Sequence, residues 1–316
     1  MTTLSARPLR AMFAGLLIAS LLPATLHAQR RTENVVLIVT DGVRWQDVFR
    51  GPERRLMSST PGGVGDTSAL IRDFWRDDPV QRRATLLPFL WSTVAKQGVL
   101  YGNQDRGSVA RITNRFKFSY PGYSGKVGAV ATWSVFRNIL NEERAGIDVI
   151  DGWDEPFPGA LGRDPRRVLV NELYRTSLRY WPGNAFDAPM QLAAKEYIRL
   201  HKPRLLFVGY GETDEWAHGR RYDLTLRSLH QVDAFVADLW RVMQGIRQYR
   251  GRTTFIITTD HGRGGSADDW TSHGERVTQS QVAATIAALL GKEDAYRAAS
   301  PRSAPAVREA LSRPRR

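Results

Sequence analysis

Three apolar runs rich in β-branched residues restrict the fold of this chain more than any other feature. They are NVVLIVTDG (34–42), RLLFVGYG (204–211) and TTFIITTDHG (253–262). Continuous apolar runs of this length predict strands that are buried on both faces. Asp41 ends the first run, Asp214 follows the second, and Asp260 and His261 end the third. Acidic groups therefore stand at three predicted strand ends.

Segments with helical periodicity alternate with these strands. The predicted helices are 85–98, 187–203, 223–246 and 278–291, and GKVGAVAT (125–132) predicts a further short strand. Asp223 suits the N-cap of the third helix. Residues 51–83, rich in Gly, Pro, Arg and Asp, predict a loop or a cap. The alternation predicts an α/β fold with a mostly parallel central sheet and helices on both faces.

The 316 residues divide into a leader, one domain and a tail. Residues 1–28 have a basic start, the apolar segment AMFAGLLIASLLPA and small residues near Ala28, which predict a signal peptide and a periplasmic or secreted protein. The apolar segment is short for a membrane anchor and Pro23 interrupts it, and we expect no membrane-spanning segment after it. Residues 29–300 predict one domain, and residues 301–316 a basic, flexible tail.

Cysteine content and charge limit the kinds of site and partner. The chain has no cysteine, which excludes disulfides and thiolate metal ligands. Its formal charge of +13 falls to 13 − 2 = +11 once the two leader arginines are removed. Such a charge attracts an anionic substrate or an acidic surface, although a solvated basic surface explains it equally well. No nucleic-acid-binding motif is present, so no specific nucleic-acid partner is expected. The oligomeric state is left open.

The strand ends carry a set of candidate metal ligands. In parallel sheets the carboxyl ends of the strands form one edge, where ligands bind. Three carboxylates on that edge repel each other unless a cation lies between them. Oxygen and nitrogen donors of this kind suit zinc, and also manganese or iron. Asp–His hydrogen bonds and Asp–Gly turns are the simpler explanations of the single motifs, but the set together predicts two divalent ions. The candidates are Asp41, Asp214, His218, Asp260, His261 and His273.

Asp214 and His218 are four residues apart. Residues at this spacing share one face of a helix. The pair predicts either an ordinary Asp–His hydrogen bond or two ligands of one ion.

A serine near these ligands is the candidate nucleophile. The segment RFKFSYPGYSGK (115–126) contains Ser119 and Ser124 in a turn punctuated by Pro and Gly. A hydroxyl that binds a metal ion loses its proton more readily, as metal-bound water does. Taken alone, either residue is equally consistent with an ordinary loop serine.

The ordered motifs VTDGVRWQDVF, FSYPGYS, GETDEWAHGRRYD, TTDHGRG and WTSHGE resemble those of the alkaline phosphatase superfamily. They are most similar to an exported bacterial branch related to nucleotide pyrophosphatase/phosphodiesterases, over about residues 34–291. The resemblance implies that Asp41, Asp260 and His261 bind one metal ion with Ser119 as bridging nucleophile. It implies that Asp214, His218 and His273 bind the other ion.

The activity implied by this resemblance is the hydrolysis of a small anionic phosphoester. Ser119 attacks phosphorus, and a phosphoseryl intermediate is then hydrolysed with the help of two zinc ions, or of manganese or iron. Monoesters, diesters, pyrophosphates and phosphonates share these ligands. Selectivity among them is expected in the loops 51–83 and 154–185. At the start of the second loop, WDEPFPGALGRDPRR supplies aromatic and basic groups.

The chain departs from the superfamily pattern in two places. Relatives have a helix after the nucleophile, whereas here SYPGYS runs almost directly into GKVGAVATW. Relatives also have a strand-bearing segment after the ligand at His273, where only GERV precedes the last helix. Backbone N–H groups of the missing helix normally help to hold phosphoryl oxygens. A catalytically weak or inactive metal-binding protein is therefore an alternative.

A sulfatase is the second alternative, from the same superfamily. Ser119-Tyr-Pro-Gly-Tyr is similar to the sulfatase motif, but Tyr123 stands where that motif has arginine. The absence of cysteine also argues against a formylglycine nucleophile.

Overall fold

Five strands form a single sheet in the computed structural model, which describes residues 32–106, 125–140, 142–272 and 280–311. The strands are β1 (Asn34–Thr40), β2 (Val127–Ala131), β3 (Asp148–Asp151), β4 (Leu205–Tyr210) and β5 (Thr253–Thr259). Their order across the sheet is β3-β2-β4-β1-β5, and every neighbouring pair is parallel. The predicted α/β class and the parallel sheet are confirmed.

Helices separate and follow the strands. They are α1 (Trp45–Phe49), α2 (Thr67–Phe74), α3 (Pro79–Leu86), α4 (Ala95–Gln97), α5 (Phe136–Leu140), α6 (Glu142–Ala145), α7 (Pro165–Thr176), α8 (Asp187–His201), α9 (Glu212–His218), α10 (Tyr222–Gly245), α11 (Ser280–Leu289), α12 (Glu293–Ala299) and α13 (Arg308–Leu311). Leu90–Val94 is a short π-helical stretch, and Arg54–Leu56, Gln104–Arg106 and Gly159–Arg163 are 3-10 turns.

Helices cover both faces of the sheet. Successive side chains of a strand point to opposite faces. Ile38 of β1 therefore lies in a core with Met190 of α8 and Val236 of α10, whereas Leu37 lies in a second core with Ile286 of α11. Burial on both faces explains why the central strands are continuous apolar runs.

The segment predicted as a loop or cap, residues 51–83, is helical over about half of its length. It contains α2 and most of α3, and its apolar residues build a third core with α10, which includes Leu70, Leu86 and Leu226. Aspartates start both helices, since Asp66 accepts from the N–H of Ala69 and Asp78 caps α3. Aspartate favours turns as well as helix N-caps, so its abundance in this segment did not distinguish the two.

Three other details of the helices differ from the prediction. The predicted helix 85–98 is split between the end of α3, the π-helical stretch and α4. Residues 154–185 are not only loop, because they contain the twelve-residue helix α7. Asp223 is not the N-cap of α10; Arg221 holds that position, and the Asp223 carboxylate accepts instead from the Arg221 guanidinium and the N–H of Gly65.

The beginning of the predicted tail makes contacts with α11. Ala306 is buried in a small core with residues of α11 and α12, and the N–H of Val307 donates to Thr285 Oγ1 at 2.9 Å. Within the described ranges, no helix combines the length and the apolar character needed to cross a membrane.

Candidate metal centre

The carboxyl ends of β4, β1 and β5 meet at one edge because these strands are neighbours in register. Thr40 lies opposite Tyr210 on one side and Thr259 on the other. Hydrogen bonds join the loops that follow. The N–H of Gly42 donates to Asp260 Oδ1 at 3.1 Å, and the hydroxyl of Thr213 donates to the carbonyl of Asp41. The predicted convergence of strand ends is thus observed.

Asp41, Asp260 and His261 form a compact set of ligand atoms at this edge. One donor atom from each lies within 4.8 Å of the others. His261 Nε2 is 3.1 Å from Asp41 Oδ1 and 4.0 Å from Asp260 Oδ2. Asp41 Oδ1 is buried, yet no described group makes a hydrogen bond of good geometry to it. Polar atoms that face each other in this way fit one shared cation.

Backbone groups orient two of the candidate ligands, His261 and Asp260. His261 Nδ1 lies 2.8 Å from the carbonyl of Gly262, so an Nδ1–H donated there leaves Nε2 directed at the carboxylates. Asp260 Oδ1 accepts from the N–H of His261 at 2.8 Å as well as from Gly42. Oδ2 of Asp260 is therefore the oxygen that faces the centre.

Burial and charge at this edge shift the pKa values of Asp260 and His261. Burial, followed by the charge of Asp41, raises the pKa of Asp260 to about 7. Burial lowers the pKa of His261, but its close contact with the Asp41 carboxylate and the charge of Asp260 outweigh this and raise the pKa to about 9. A concentration of negative charge that favours protonated groups also favours a bound cation.

Asp214 and His218 lie on α9, as the spacing predicted. Asp214 Oδ2 is 2.9 Å from His218 Nε2, one helical turn away. Asp214 Oδ1 is 3.4 Å from His261 Nε2 and so adjoins the first set of ligands. The helix brings the pair to the same edge of the sheet.

The start of α9 is held by an exchange of caps with α8. Asp187 Oδ1 accepts from the N–H groups of Gly211 at 3.0 Å and Glu212 at 3.4 Å. Glu212 Oε1 accepts in return from the N–H of Asp187 at 2.7 Å. Each carboxylate satisfies N–H groups at the start of the other helix, and this fixes where α9 leaves the sheet.

Arg263 is the site residue that the sequence interpretation missed. Its side chain has no exposed surface, and its guanidinium donates to the carbonyl of Thr271 at 2.5 Å and to both Oδ1 and the carbonyl of Asp214. Burial lowers its pKa to about 10, against the opposing effect of Asp41, so it is charged at neutral pH. Its position two residues after His261 was the available signal, but it is one of 45 Lys and Arg residues.

Three other residues of the sequence prediction lie outside the described residues: Ser119, its alternative Ser124, and His273. The structure therefore brings together five of the predicted groups, namely Asp41, Asp214, His218, Asp260 and His261.

The two predicted metal sites differ in how well the described residues fit an ion. Asp41, Asp260 and His261 fit one divalent ion with oxygen and nitrogen ligands. Asp214 does not fit a second ion in the same way, because the Arg263 guanidinium binds its Oδ1 and His218 lies on its Oδ2.

Aromatic side chains line the outer side of α9. The Trp216 ring lies 4.6 Å from that of Trp181 and 5.5 Å from that of Tyr180, and Tyr180 is largely exposed. Asn184 donates to Glu215 on the same helix at 3.1 Å. Residues of the predicted selectivity segment 154–185 thus contact the helix that carries Asp214.

Comparison of the chain with models of protein families, with curated protein sequences and with solved structures finds no match. The functional assignment therefore depends on the motifs and on the geometry of this edge.

Proposed function

We propose that the chain is an exported, metal-dependent hydrolase of phosphoric esters with an alkaline phosphatase-like fold. The observation that carries the proposal is the meeting of Asp41, Asp260 and His261 at adjacent strand ends, with donor atoms within 4.8 Å. The three residues come from two motifs more than two hundred positions apart, and their order and types are those of the superfamily that the sequence resembles.

The residues of this edge have separable tasks in such a reaction. Asp41, Asp260 and His261 would hold a divalent ion, which would act as a Lewis acid on a phosphoryl oxygen. Gly42 and Gly262 orient those ligands through their backbone groups. Ser119 is the proposed nucleophile, and its bond to phosphorus forms as the ester oxygen leaves.

Burial and charge at the edge suit an anionic substrate. The ligands are only partly exposed, so the phosphoester approaches from one side. The buried guanidinium of Arg263 adds fixed positive charge, and the formal net charge of +13 attracts anions over longer distances.

The test is hydrolysis by the purified, metal-replete chain of p-nitrophenyl phosphate, bis-p-nitrophenyl phosphate and p-nitrophenyl sulfate. We expect turnover of a phosphoester and not of the sulfate. Asp260→Asn should lower the rate by more than the roughly 10- to 100-fold that loss of an outer contact to a metal ligand costs. Asp268→Asn is its matched control, because Asp268 is exposed and pairs with Arg55.

Serine variants test the nucleophile in the same assay. Ser119→Ala should abolish turnover and the acid-stable phosphoserine seen after quenching, whereas Ser124→Ala should retain both. Bound metal without turnover of either phosphoester would favour the non-catalytic metal-binding alternative, and preferential cleavage of the sulfate would favour a sulfatase.

A further inference from the structure

We propose that Arg263 is a permanent cation of this centre, in the place of a second metal ion, and that the centre binds one divalent ion through Asp41, Asp260 and His261. This inference deepens the proposed function and depends on it for the first metal site. It departs from the two-ion arrangement that the sequence resemblance implies.

The first argument is the burial of Arg263. Its side chain is 0% exposed, and both terminal nitrogens donate, one to the carbonyl of Thr271 and the other to Asp214. No described acceptor lies on its Nε, which is also buried. A guanidinium enclosed in this way is a fixed part of the site, unlike a surface side chain that folds over it.

The second argument is the space made for this ion pair. A Cβ atom on Gly42 would lie 2.1 Å from Asp214 Oδ1 and 3.0 Å from Arg263 Nε. The absence of a side chain at position 42 lets the Asp214–Arg263 pair lie directly against the loop after β1. The loop, the aspartate and the arginine thus fit each other closely.

The third argument is the balance of charge. Three aspartates lie at this edge, and Arg263 neutralises Asp214, the one that does not belong to the metal-fitting set. Both oxygens of Asp214 have neighbours, the guanidinium on Oδ1 and His218 Nε2 at 2.9 Å from Oδ2. A divalent ion between Asp214 and His218 would lie close to the buried guanidinium, and like charges repel each other.

Asp41, Asp260 and His261 remain available to bind a metal ion. Among the described residues, Arg263 donates no hydrogen bond to Asp41 or Asp260, and Asp41 Oδ1 has no hydrogen bond of good geometry. One ion among Asp41, Asp260 and His261, with a guanidinium beside it, accounts for the arrangement of charges at all three strand ends.

The decisive measurement is metal stoichiometry. The full chain is equilibrated with excess Zn²⁺, and separately with Mn²⁺, then freed of unbound ion and analysed for bound metal. We expect one ion per chain in the wild type and in Asp214→Asn, and none in Asp260→Asn. Two ions in the wild type, or a fall from two to one in Asp214→Asn, would overturn the inference.

Arg263→Met provides the complementary variant, since it keeps most of the side chain's length and removes its charge. Without the guanidinium, Asp214 and His218 are free of a competing cation, and we expect a second, weaker ion to bind. Arg55→Met removes a charge from an exposed pair and should still bind one ion. If Arg263→Met does not fold, the wild-type and Asp214→Asn stoichiometries alone decide the question.

These outcomes separate the inference from the proposed function. One bound ion with phosphoester hydrolysis supports both, and one bound ion without hydrolysis supports the inference while removing the function. Two bound ions with hydrolysis leave the function in place and remove the inference. No bound ion under either metal overturns both.

Discussion

At the scale of single residues, both the backbone conformation and the close neighbours of Gly42 require glycine at this position. Its φ of +61° lies in the left-handed region, and a Cβ there would collide with Asp214 Oδ1. Gly42→Ala should therefore cost more than the about 1–2 kcal/mol of an L residue in that conformation. It should also weaken zinc binding by roughly 10- to 100-fold, because the collision moves groups that adjoin the metal ligands. Denaturant unfolding and zinc titration measure the two effects.

Gly251→Ala is the matched control for this change. Gly251 has a similar φ of +67°, but no atom lies within 4 Å of the position of its Cβ. The control should lose stability through its backbone alone and bind zinc as the wild type does. Equal losses of zinc affinity in the two variants would show that the contact with Asp214 is unimportant.

The acidic residues at this edge were predictable from the sequence, whereas the arginine that pairs with Asp214 was not. Asp41, Asp214 and Asp260 follow apolar runs, and position after a strand is visible in the sequence. Arg263 and Asp187 owe their roles to burial and to bonds with distant groups, and Asp187 reaches Gly211 across 24 positions. No local pattern encodes such contacts.

At the scale of elements, the exchange of caps between α8 and α9 predicts a dependence on pH. Burial, followed by the charge of Glu212, raises the pKa of Asp187 well above its ordinary 3.8, although the N–H groups of Gly211 and Glu212 oppose the shift. The folded chain keeps this proton at pH values where the unfolded chain has lost it. Asp187 therefore contributes stability in acid that declines as the pH rises from 3.8 through the raised pKa.

Asp187→Asn has no such proton to lose. Its free energy of unfolding relative to wild type should increase with pH over that range, by at most about 1.4 kcal/mol per pH unit. Urea unfolding from about pH 4 to about pH 8 gives the slope. Asp66→Asn, at the exposed cap of α2, controls for the loss of a capping carboxylate. A relative stability of Asp187→Asn that falls with pH would contradict the assignment.

Elements with long apolar patterns were predicted well, and capped or short ones were missed. β1, β4, β5, α8 and α10 follow from periodicity because packing against the sheet dictates their residues. α7 exposes much of its surface and starts at Asp164-Pro165, just as α3 starts at Asp78-Pro79. An Asp-Pro pair is a recognisable helix start, since the aspartate caps and proline suits the first turn.

At the scale of the whole molecule, polar contacts between distant segments hold the 51–83 region beside the sheet. The hydroxyl of Tyr222 on α10 donates to Asp47 at 2.6 Å and accepts from the N–H of Glu53 at 3.0 Å. Arg44 donates to the carboxylates of both Asp47 and Glu53. The Tyr222 hydroxyl thus joins α10 to a charged cluster far away in sequence. Neither the position of the region nor its third core could therefore be predicted from local patterns.

The candidate metal centre also joins distant parts of the chain, since Asp41 follows β1 and Asp260 follows β5, and this predicts that metal binding stabilises the whole fold. An ion that binds only the folded chain raises the free energy of unfolding by about 2.7 kcal/mol when its free concentration is about 100 times its Kd. Urea unfolding with and without zinc should show this gain, and a chelator should reverse it. Asp260→Asn should lose the gain, whereas Asp268→Asn, changed at an exposed carboxylate paired with Arg55, should keep it. An equal gain in both variants would mean that zinc stabilises the chain from somewhere other than the ends of β1 and β5.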